Sequence, residues 1–200
     1  MTGFVALDLS KASTGWALYE HGSDRAHYGH WQLGSEYTPD GGVFCKLHQC
    51  LSDLHSLNKF DHLYFEDTLP PVKLQGFTNI NSIRLAAGLS SHAESWGEAL
   101  GMRTIQRVNL ESWRPEFIGR VVSQQAKRDA RNKSKQLDKK VSARGTLKAL
   151  TIARCKQLGW TPRNDDEADA LGILDYVLTL HQIIPPWRKD EVLRPPLEVV

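Results

Sequence analysis

Four acidic residues stand where apolar segments of the chain end or where a helix begins. Asp8 follows the apolar residues 4–7, and Glu66 follows the apolar residues 63–65. Asp166 and Asp169 lie three residues apart at the start of an apolar helical stretch. Carboxylates at strand ends and on the first turn of a helix can converge in an α/β domain. Because such a cluster repels itself unless cations lie within it, the pattern predicts a divalent-metal site.

The size and composition indicate a single soluble α/β domain. The chain has 200 residues, of which 40% are hydrophobic and 24% are charged, which is enough to bury a core. The sequence contains no run of about 18 apolar residues, so it predicts no membrane-spanning helix. The N-terminus enters an apolar strand without the basic and small-residue pattern of a signal peptide. Cys45, Cys50 and Cys155 form no CxxC pair, and we therefore expect a reducing, cytoplasmic location.

Positive charge is concentrated in one stretch, although the net charge of the whole chain is only +2. Residues 127–148 contain nine basic residues and two acidic ones, so this stretch carries +7 and the rest of the chain about −5. The basic residues are Lys127, Arg128, Arg131, Lys133, Lys135, Lys139, Lys140, Arg144 and Lys148. Such a strip predicts a polyanionic partner, most simply nucleic acid. A solvated helix face or a disordered loop would account for it equally well.

Hydrophobic periodicity predicts an ordered series of strands and helices. Strands are expected at residues 3–10, 14–20, 25–33, 61–66 and 102–108. Helices are expected after the glycine pair 41–42, at 79–100, around Trp113, at 146–158 and at 165–181. Three meander strands, a helix, a strand, a helix, a strand and then helices is the order of an RNase H-like fold. We therefore predict a mixed five-stranded sheet, with three antiparallel and two parallel strands, flanked by helices.

This fold would bring the four carboxylates together. A helical crossover makes the first strand and the strand that ends at Glu66 parallel neighbours. Asp166 and Asp169 fall near the N-terminus of the last helix, where the helix dipole favours negative charge, and their spacing puts them on one face. Glu167 should point away from that face.

Several stretches of this sequence together resemble the RuvC-type Holliday junction resolvases, in the divergent form found in bacteriophages. They are residues 6–10 with Thr14-Gly15-Trp16, residues 64–66, residues 79–88, Lys148 with its helix, and residues 166–171. The similarity spans roughly residues 3–180. It implies a nuclease domain over residues 1–182, with a basic segment at 123–148, followed by a Pro-rich tail at 183–200.

The resemblance implies a metal-dependent endonuclease that cuts four-way junctions and other branched DNA. Asp8, Glu66, Asp166 and Asp169 would hold two Mg²⁺ or Mn²⁺ ions, and Lys148 would offset charge near the scissile phosphate. Asp165 competes with Asp166 as a ligand, and Asp166 is favoured because it gives the family's Asp-x-x-Asp spacing. A homodimer is expected, because paired cuts in a near-symmetric junction need two active sites. The protein would act in the cytoplasm, which is that of the host if a phage encodes it.

Two regions depart from the family pattern, and both concern DNA. The segment between Trp113 and Arg144 is longer and more basic than in compact bacterial members. The loop after Glu66 carries Leu69 and Phe77, either of which could act as an apolar wedge between bases. The residues predicted to contact DNA are Leu69, Lys73, Phe77, Arg128, Arg131, Lys133, Lys135, Lys139, Lys140 and Arg144.

Two other functions are compatible with parts of the pattern. A branched-DNA-binding protein without catalysis would also need the basic segment. An actin-like or sugar-kinase ATPase also begins with an acidic first strand and a hairpin, but those folds need a second similar domain, for which 200 residues leave no room.

Overall fold

The computed structural model describes residues 3–67, 80–139, 141–189 and 191. Its strands are β1 (Gly3–Asp8), β2 (Thr14–Glu20), β3 (His27–Trp31), β4 (His62–Glu66) and β5 (Thr104–Val108). Its helices are α1 (Asp40–Leu57), α2 (Ile80–Ala99), α3 (Leu110–Ile118), α4 (Arg120–Leu137), α5 (Arg144–Gln157) and α6 (Asp165–Leu180). A short 3-10 turn covers Pro186–Arg188.

The five strands form one mixed sheet in the order β3-β2-β1-β4-β5. β1 pairs antiparallel with β2 and parallel with β4, β2 pairs antiparallel with β3, and β4 pairs parallel with β5. This is the predicted arrangement of three meander strands and two parallel ones. As a result, the carboxyl ends of β1, β3, β4 and β5 all lie at the same edge of the sheet.

Helices cover both faces of the sheet, and the alternation of side chains along β1 explains why. Phe4 and Ala6 belong to one buried cluster and Val5 and Leu7 to the other, because successive side chains of a strand point to opposite faces. The first cluster includes residues of α3, α5 and α6, and the second includes residues of α1 and α2. Burial on both faces accounts for the continuously apolar sequence of β1.

Helix α6 is the most deeply buried helix described. All but one of the residues from Glu167 to Leu178 are buried, and it packs against β1, β2 and β4. A helix that is apolar nearly all round is stable only in such a position. The acidic start of α6 is therefore held rigidly against the sheet.

The boundaries of some elements differ from the sequence-based expectation. β1 ends at Asp8 rather than residue 10, because the Thr14 hydroxyl donates to the Ser10 carbonyl (2.6 Å) and accepts from the Ser10 amide (3.1 Å). These bonds close the turn before β2. β5 begins at Thr104 rather than residue 102, after a turn in which Gly101 adopts φ +66°. The left-handed conformation of that glycine cannot continue a strand.

Within the described residues, both the basic segment and the start of the C-terminal tail contain helical turns. Most of the basic segment is helix α4, which settles the choice between helix and loop. In the tail, the Trp187 indole donates to Asp175 Oδ1 (2.9 Å) and the Arg188 guanidinium pairs with the same carboxylate. Trp187 thus attaches the start of the tail to the body of the domain.

None of the helices in the described ranges combines the length and apolar character that a membrane span requires.

Candidate active site

Asp8 and Glu66 are brought together by the parallel pairing of their strands. Each is the last residue of its strand, β1 and β4 respectively. The final pair in the β1–β4 register is Leu7 with Phe65, so Asp8 and Glu66 follow directly as neighbours at the edge of the sheet. Both side chains are half-buried. The sequence predicted this proximity from the strand order alone.

Gly15 permits the start of α6 to approach the same edge. Across the β1–β2 pair, Gly15 lies opposite Asp8. A Cβ atom at Gly15 would lie 2.0 Å from the carbonyl oxygen of Asp166, far inside any allowed contact. The missing side chain therefore lets the first turn of α6 rest on the β2 backbone, next to the end of β1.

The N-terminus of α6 is capped, and Glu167 points away from the other acids of the site. The Asn164 side chain accepts a hydrogen bond from the Glu167 amide (2.9 Å), which satisfies one of the free donors of the first turn. The Glu167 carboxylate accepts from the Arg163 amide (2.7 Å) and contacts His30 Nδ1 (2.7 Å). The Glu167 side chain thus stabilises the start of α6 and its contact with β3, and it lies on the side of the helix away from the other acids, as its position predicts.

The electrostatics of Asp8 indicate that the four carboxylates share one site. Burial raises its pKa well above the ordinary value, and the neighbouring charges of Glu66, Asp169 and Asp166 raise it further, while Lys148 opposes the shift. A carboxylate that is repelled by three others favours either a bound proton or a nearby cation. Asp8 thus lies within electrostatic range of the other three acids; the shared four-carboxylate site and the roles of its members as ligands stay a prediction.

Lys148 distinguishes the two neighbouring acids at the start of α6. Its ammonium pairs with the Asp165 carboxylate, and this hydrogen bond is the main cause of the lowered pKa of Asp165. Within the described residues, no hydrogen bond or ion pair engages the side chain of Asp166. Asp165 thus serves as the partner of Lys148, which favours Asp166 as the acid that faces the site.

Trp113 and Arg114 are parts of the site that sequence reasoning missed. Trp113 is fully buried and its indole donates to Glu66 Oε2 (3.1 Å). The Arg114 guanidinium lies over the Trp113 ring, 4.6 Å from its centroid, and pairs with Asp169. No sequence pattern around Arg114 predicts its ion pair with Asp169, because an arginine in a short helix ordinarily lies at the surface.

Arg114 also influences the ionisation of two of the acids. Burial raises the pKa of Glu66 and of Asp169, and for both the charge of Arg114 is the largest opposing influence. Even so, Asp169 Oδ1 and Arg114 Nε are buried and have no hydrogen-bond partner within the described part of the chain.

The donor chemistry of the four acids fits a hard divalent cation. All of the donors are carboxylate oxygens, which Mg²⁺ and Mn²⁺ prefer over the nitrogen and sulfur ligands typical of zinc. The unpartnered Oδ1 of Asp169 is a further oxygen available to a cation. In the ranges described, however, no three His, Cys, Asp or Glu side chains are already gathered as a ready metal-binding group.

The predicted DNA-contacting residues lie partly on α4. This helix packs through its small residues Ser123, Ala126 and Ala130, and turns Arg128, Arg131 and Lys135 outward. Lys133, Lys139 and Arg144 are also exposed. Leu69, Lys73, Phe77 and Lys140 lie outside the described residues. Helix α4 packs against α3, the helix that carries Trp113 and Arg114. The basic helix is therefore connected to the acidic site through α3.

The fold is similar to that of RuvC from Thermus thermophilus. A structure described as T. thermophilus RuvC in complex with Holliday junction substrate matches with a TM-score of 0.55 and 11% identity, over 87% of this chain and 90% of that chain. A Thermus thermophilus RuvC structure matches with a TM-score of 0.51 and 15% identity, over 86% of this chain and 91% of that chain. No family model and no curated protein sequence matches. The likeness confirms the predicted RNase H-like, RuvC-type fold.

Proposed function

We propose that this chain is a metal-dependent endonuclease of the RuvC type that cleaves four-way DNA junctions and other branched DNA. The observation that carries the proposal is the geometry of a RuvC-like sheet: β1 and β4 end side by side at Asp8 and Glu66, and the first turn of α6 rests on Gly15 opposite Asp8. Carboxylates placed at this edge are suited to binding the cations that contact a phosphodiester.

Asp8, Glu66, Asp166 and Asp169 would together hold two Mg²⁺ or Mn²⁺ ions. When bound, such ions supply positive charge toward the scissile phosphate and make a water more acidic. The protein's own contribution is the fixed placement of the carboxylates. Asp8 and Glu66 are held by strand pairing, and Asp166 and Asp169 by the buried helix α6.

Lys148 is proposed to offset negative charge close to the phosphate. Its pairing with Asp165 orients the ammonium at the entrance to the acidic site, and it also opposes the rise in the pKa of Asp8. A fixed cation near developing negative charge stabilises a transition state because it needs no reorganisation during the reaction.

The outward face of α4 is proposed to bind the DNA backbone. Arg128, Arg131 and Lys135 are exposed on that face, and Lys133, Lys139 and Arg144 extend the positive surface. The T. thermophilus RuvC complex contains a Holliday junction substrate, which supports four-way junctions as the substrate here. The roles of Leu69, Lys73, Phe77 and Lys140 in gripping or opening the junction remain predictions from the sequence.

The active form is proposed to be a homodimer in the cytoplasm. Symmetric cuts in a four-way junction require two active sites related by a two-fold axis.

A cleavage assay tests the proposal directly. Purified protein with Mg²⁺ is incubated with a synthetic mobile junction, a Y-fork and a linear duplex of the same sequence. We expect cleavage of the branched substrates, and loss of at least about 100-fold in rate for Asp8→Asn, as for loss of a metal ligand. Asp53→Asn is the matched control, because Asp53 is exposed on α1. No cleavage of any branched substrate by the wild type would sink the proposal.

The same assay decides between the two neighbouring acids. Asp166→Asn should abolish cleavage, because Asp166 is the proposed ligand. Asp165→Asn should leave measurable activity, because Asp165 acts only through Lys148. The reverse order of effects would assign the metal to Asp165. If junctions are bound but not cut, and calorimetry finds no Mn²⁺ binding, the protein is a branched-DNA-binding protein without catalysis.

A further inference from the structure

A buried guanidinium lies within the acidic site. Arg114 and Asp169 are 6% and 3% exposed, and they pair across 55 residues of sequence. Arg114 reaches Asp169 from α3, and its neighbour Trp113 donates to Glu66. Two consecutive residues of α3 therefore contact two of the four acids.

The position of Arg114 is determined by close packing between α3 and α6. A Cβ atom on Gly172 of α6 would lie 2.5 Å from the Trp113 ring, so only glycine lets that ring lie against the helix. Arg114 in turn lies over the face of the same ring. The guanidinium has little freedom to leave, because both the ring and the carboxylate hold it.

The ion pair leaves one hydrogen-bonding atom of each side chain without a partner among the described residues. Arg114 Nη2 contacts Asp169 Oδ2, while Arg114 Nε and Asp169 Oδ1 are buried without a partner among the described residues. A bidentate pair would use both oxygens. The offset arrangement leaves one oxygen of Asp169 for a second cation, so that the carboxylate can be shared between Arg114 and a metal ion.

We propose that Arg114 is a built-in counter-ion that stabilises Asp169 in the metal-free protein and weakens the binding of divalent ions at the site. A buried carboxylate without a cation is strongly destabilising. Arg114 removes that penalty before any ion arrives. Once an ion is bound, the guanidinium is a like charge beside it, so its presence lowers affinity. The inference rests on the proposed metal site.

Replacing Arg114 by a neutral residue should therefore tighten metal binding while destabilising the metal-free fold. For Arg114→Gln we expect Mn²⁺ to bind at least about tenfold more tightly than to the wild type. The amide of glutamine can still donate to Asp169, which keeps the carboxylate in place. Arg114→Lys keeps the charge and should bind Mn²⁺ within about threefold of the wild type.

The experiment combines Mn²⁺ titration calorimetry with thermal unfolding, in the absence of DNA. The proteins are the wild type, Arg114→Gln, Arg114→Lys, and Arg120→Gln as the matched control. Arg120 is an exposed arginine that pairs with Glu116 at the end of α3, so its replacement removes the same charge away from the acids. Of these proteins, only Arg114→Gln should bind Mn²⁺ more tightly than the wild type. It should also have a lower thermal unfolding midpoint in EDTA, and saturating Mn²⁺ should raise that midpoint by more than in the wild type.

The outcomes separate this inference from the proposed function. A folded Arg114→Gln protein that binds Mn²⁺ no more tightly than the wild type overturns the inference and leaves the metal site standing. Folding of that variant only when Mn²⁺ is present supports the inference, because the ion then replaces the guanidinium. A variant that stays unfolded with and without Mn²⁺ overturns it, since Arg114 would then serve packing alone. If neither the wild type nor Arg114→Gln binds Mn²⁺, the metal site itself is wrong.

Discussion

At the scale of single residues, the acids of the site differ in what compensates their charge. Asp165 is paired with Lys148 and Asp169 with Arg114, and Glu66 accepts a hydrogen bond from Trp113. Asp8 has neighbouring acids as its main electrostatic influence, so its pKa is raised both by burial and by repulsion. Of these acids, Asp8 is therefore the one whose charge the rest of the protein compensates least.

The stability of the metal-free protein should depend on the ionisation of Asp8. Because the folded-state pKa is raised above the unfolded value of about 3.9, the folded protein holds more protons than the unfolded one in the window above pH 4. The free energy of unfolding therefore falls as pH rises through that window. Asp8→Asn removes this loss. In EDTA, its stabilisation over the wild type should therefore be larger at pH 7.5 than at pH 5.

Chemical denaturation of both proteins at the two pH values measures this difference. The difference between variant and wild type isolates Asp8 from other groups, such as His62 and His92, whose pKa values are lowered mainly by burial. Asp53→Asn should show the same small effect at both pH values. An equal effect of Asp8→Asn at pH 5 and pH 7.5 would mean that Asp8 is not repelled by its neighbours.

At the scale of elements, the site depends on the contact between the start of α6 and β2. Gly15→Ala would place a methyl group 2.0 Å from the Asp166 carbonyl. We expect α6 to shift away from the sheet, with a loss of about 3 kcal/mol in unfolding free energy and a large loss of junction cleavage. Thermal unfolding and the cleavage assay measure the two effects.

Gly41→Ala is the control for this glycine substitution. Gly41 lies in the first turn of α1 and does not have a positive φ. A Cβ atom at this position would have no neighbouring group within 4 Å. Stability should be unchanged or slightly higher, since alanine favours helix. If Gly15→Ala behaves like Gly41→Ala, the close approach of α6 to β2 does not position the acids.

Helix α4 should determine how DNA binding responds to salt. Each phosphate neutralised by a basic side chain releases counterions and adds about 0.9 to the slope of log affinity against log salt. Replacing Arg128, Arg131 and Lys135 by alanine should lower that slope by roughly 2 to 3 for a four-way junction. Fluorescence anisotropy over a salt series measures the slope.

Two exposed basic residues at the opposite edge of the sheet provide the comparison for α4. Arg25 precedes β3 and Lys59 precedes β4, so both lie far from the carboxyl ends of β1 and β4. Their double replacement by alanine should leave the slope unchanged. An unaltered slope for the α4 variant would show that DNA binds to another surface.

At the scale of the whole molecule, one sheet serves as the frame for every part of the site. Strands β1 and β4 end at the same edge, α6 begins there, and α3 supplies Trp113 and Arg114. All of the proposed site residues thus come from one chain. If the proposed function is correct, two simultaneous cuts in a junction require a second chain.

The proposed homodimer can be tested with mixed subunits. On a supercoiled plasmid with an extruded cruciform, the wild type should make both cuts in one encounter and yield linear DNA. An excess of Asp8→Asn protein should form mixed dimers with one working site, so nicked circles should replace the linear product. The control is wild type diluted to the same active concentration. Persistence of linear product in the mixture would mean that the chains act independently.

The strand order, the mixed sheet and the adjacency of Asp8 and Glu66 could be predicted because they follow from local patterns. Alternating and continuous apolar runs mark strands, and an acid at the end of a run lies at an edge of the sheet. The state of the basic segment could not be decided in this way. Its charge suits a solvated helix or a loop equally, and only the burial of Ser123, Ala126 and Ala130 against the body selects the helix.

The sequence by itself determined which strands form, in what order, and that the residues at the ends of β1 and β4 are carboxylates. The tertiary structure alone decided which cation meets which acid: Lys148 pairs with Asp165 rather than Asp166, and Arg114 is buried against Asp169. The physical reason is range. Hydrophobic periodicity is set by residues a few positions apart, whereas an ion pair depends on the distance between side chains from separate elements once they have packed.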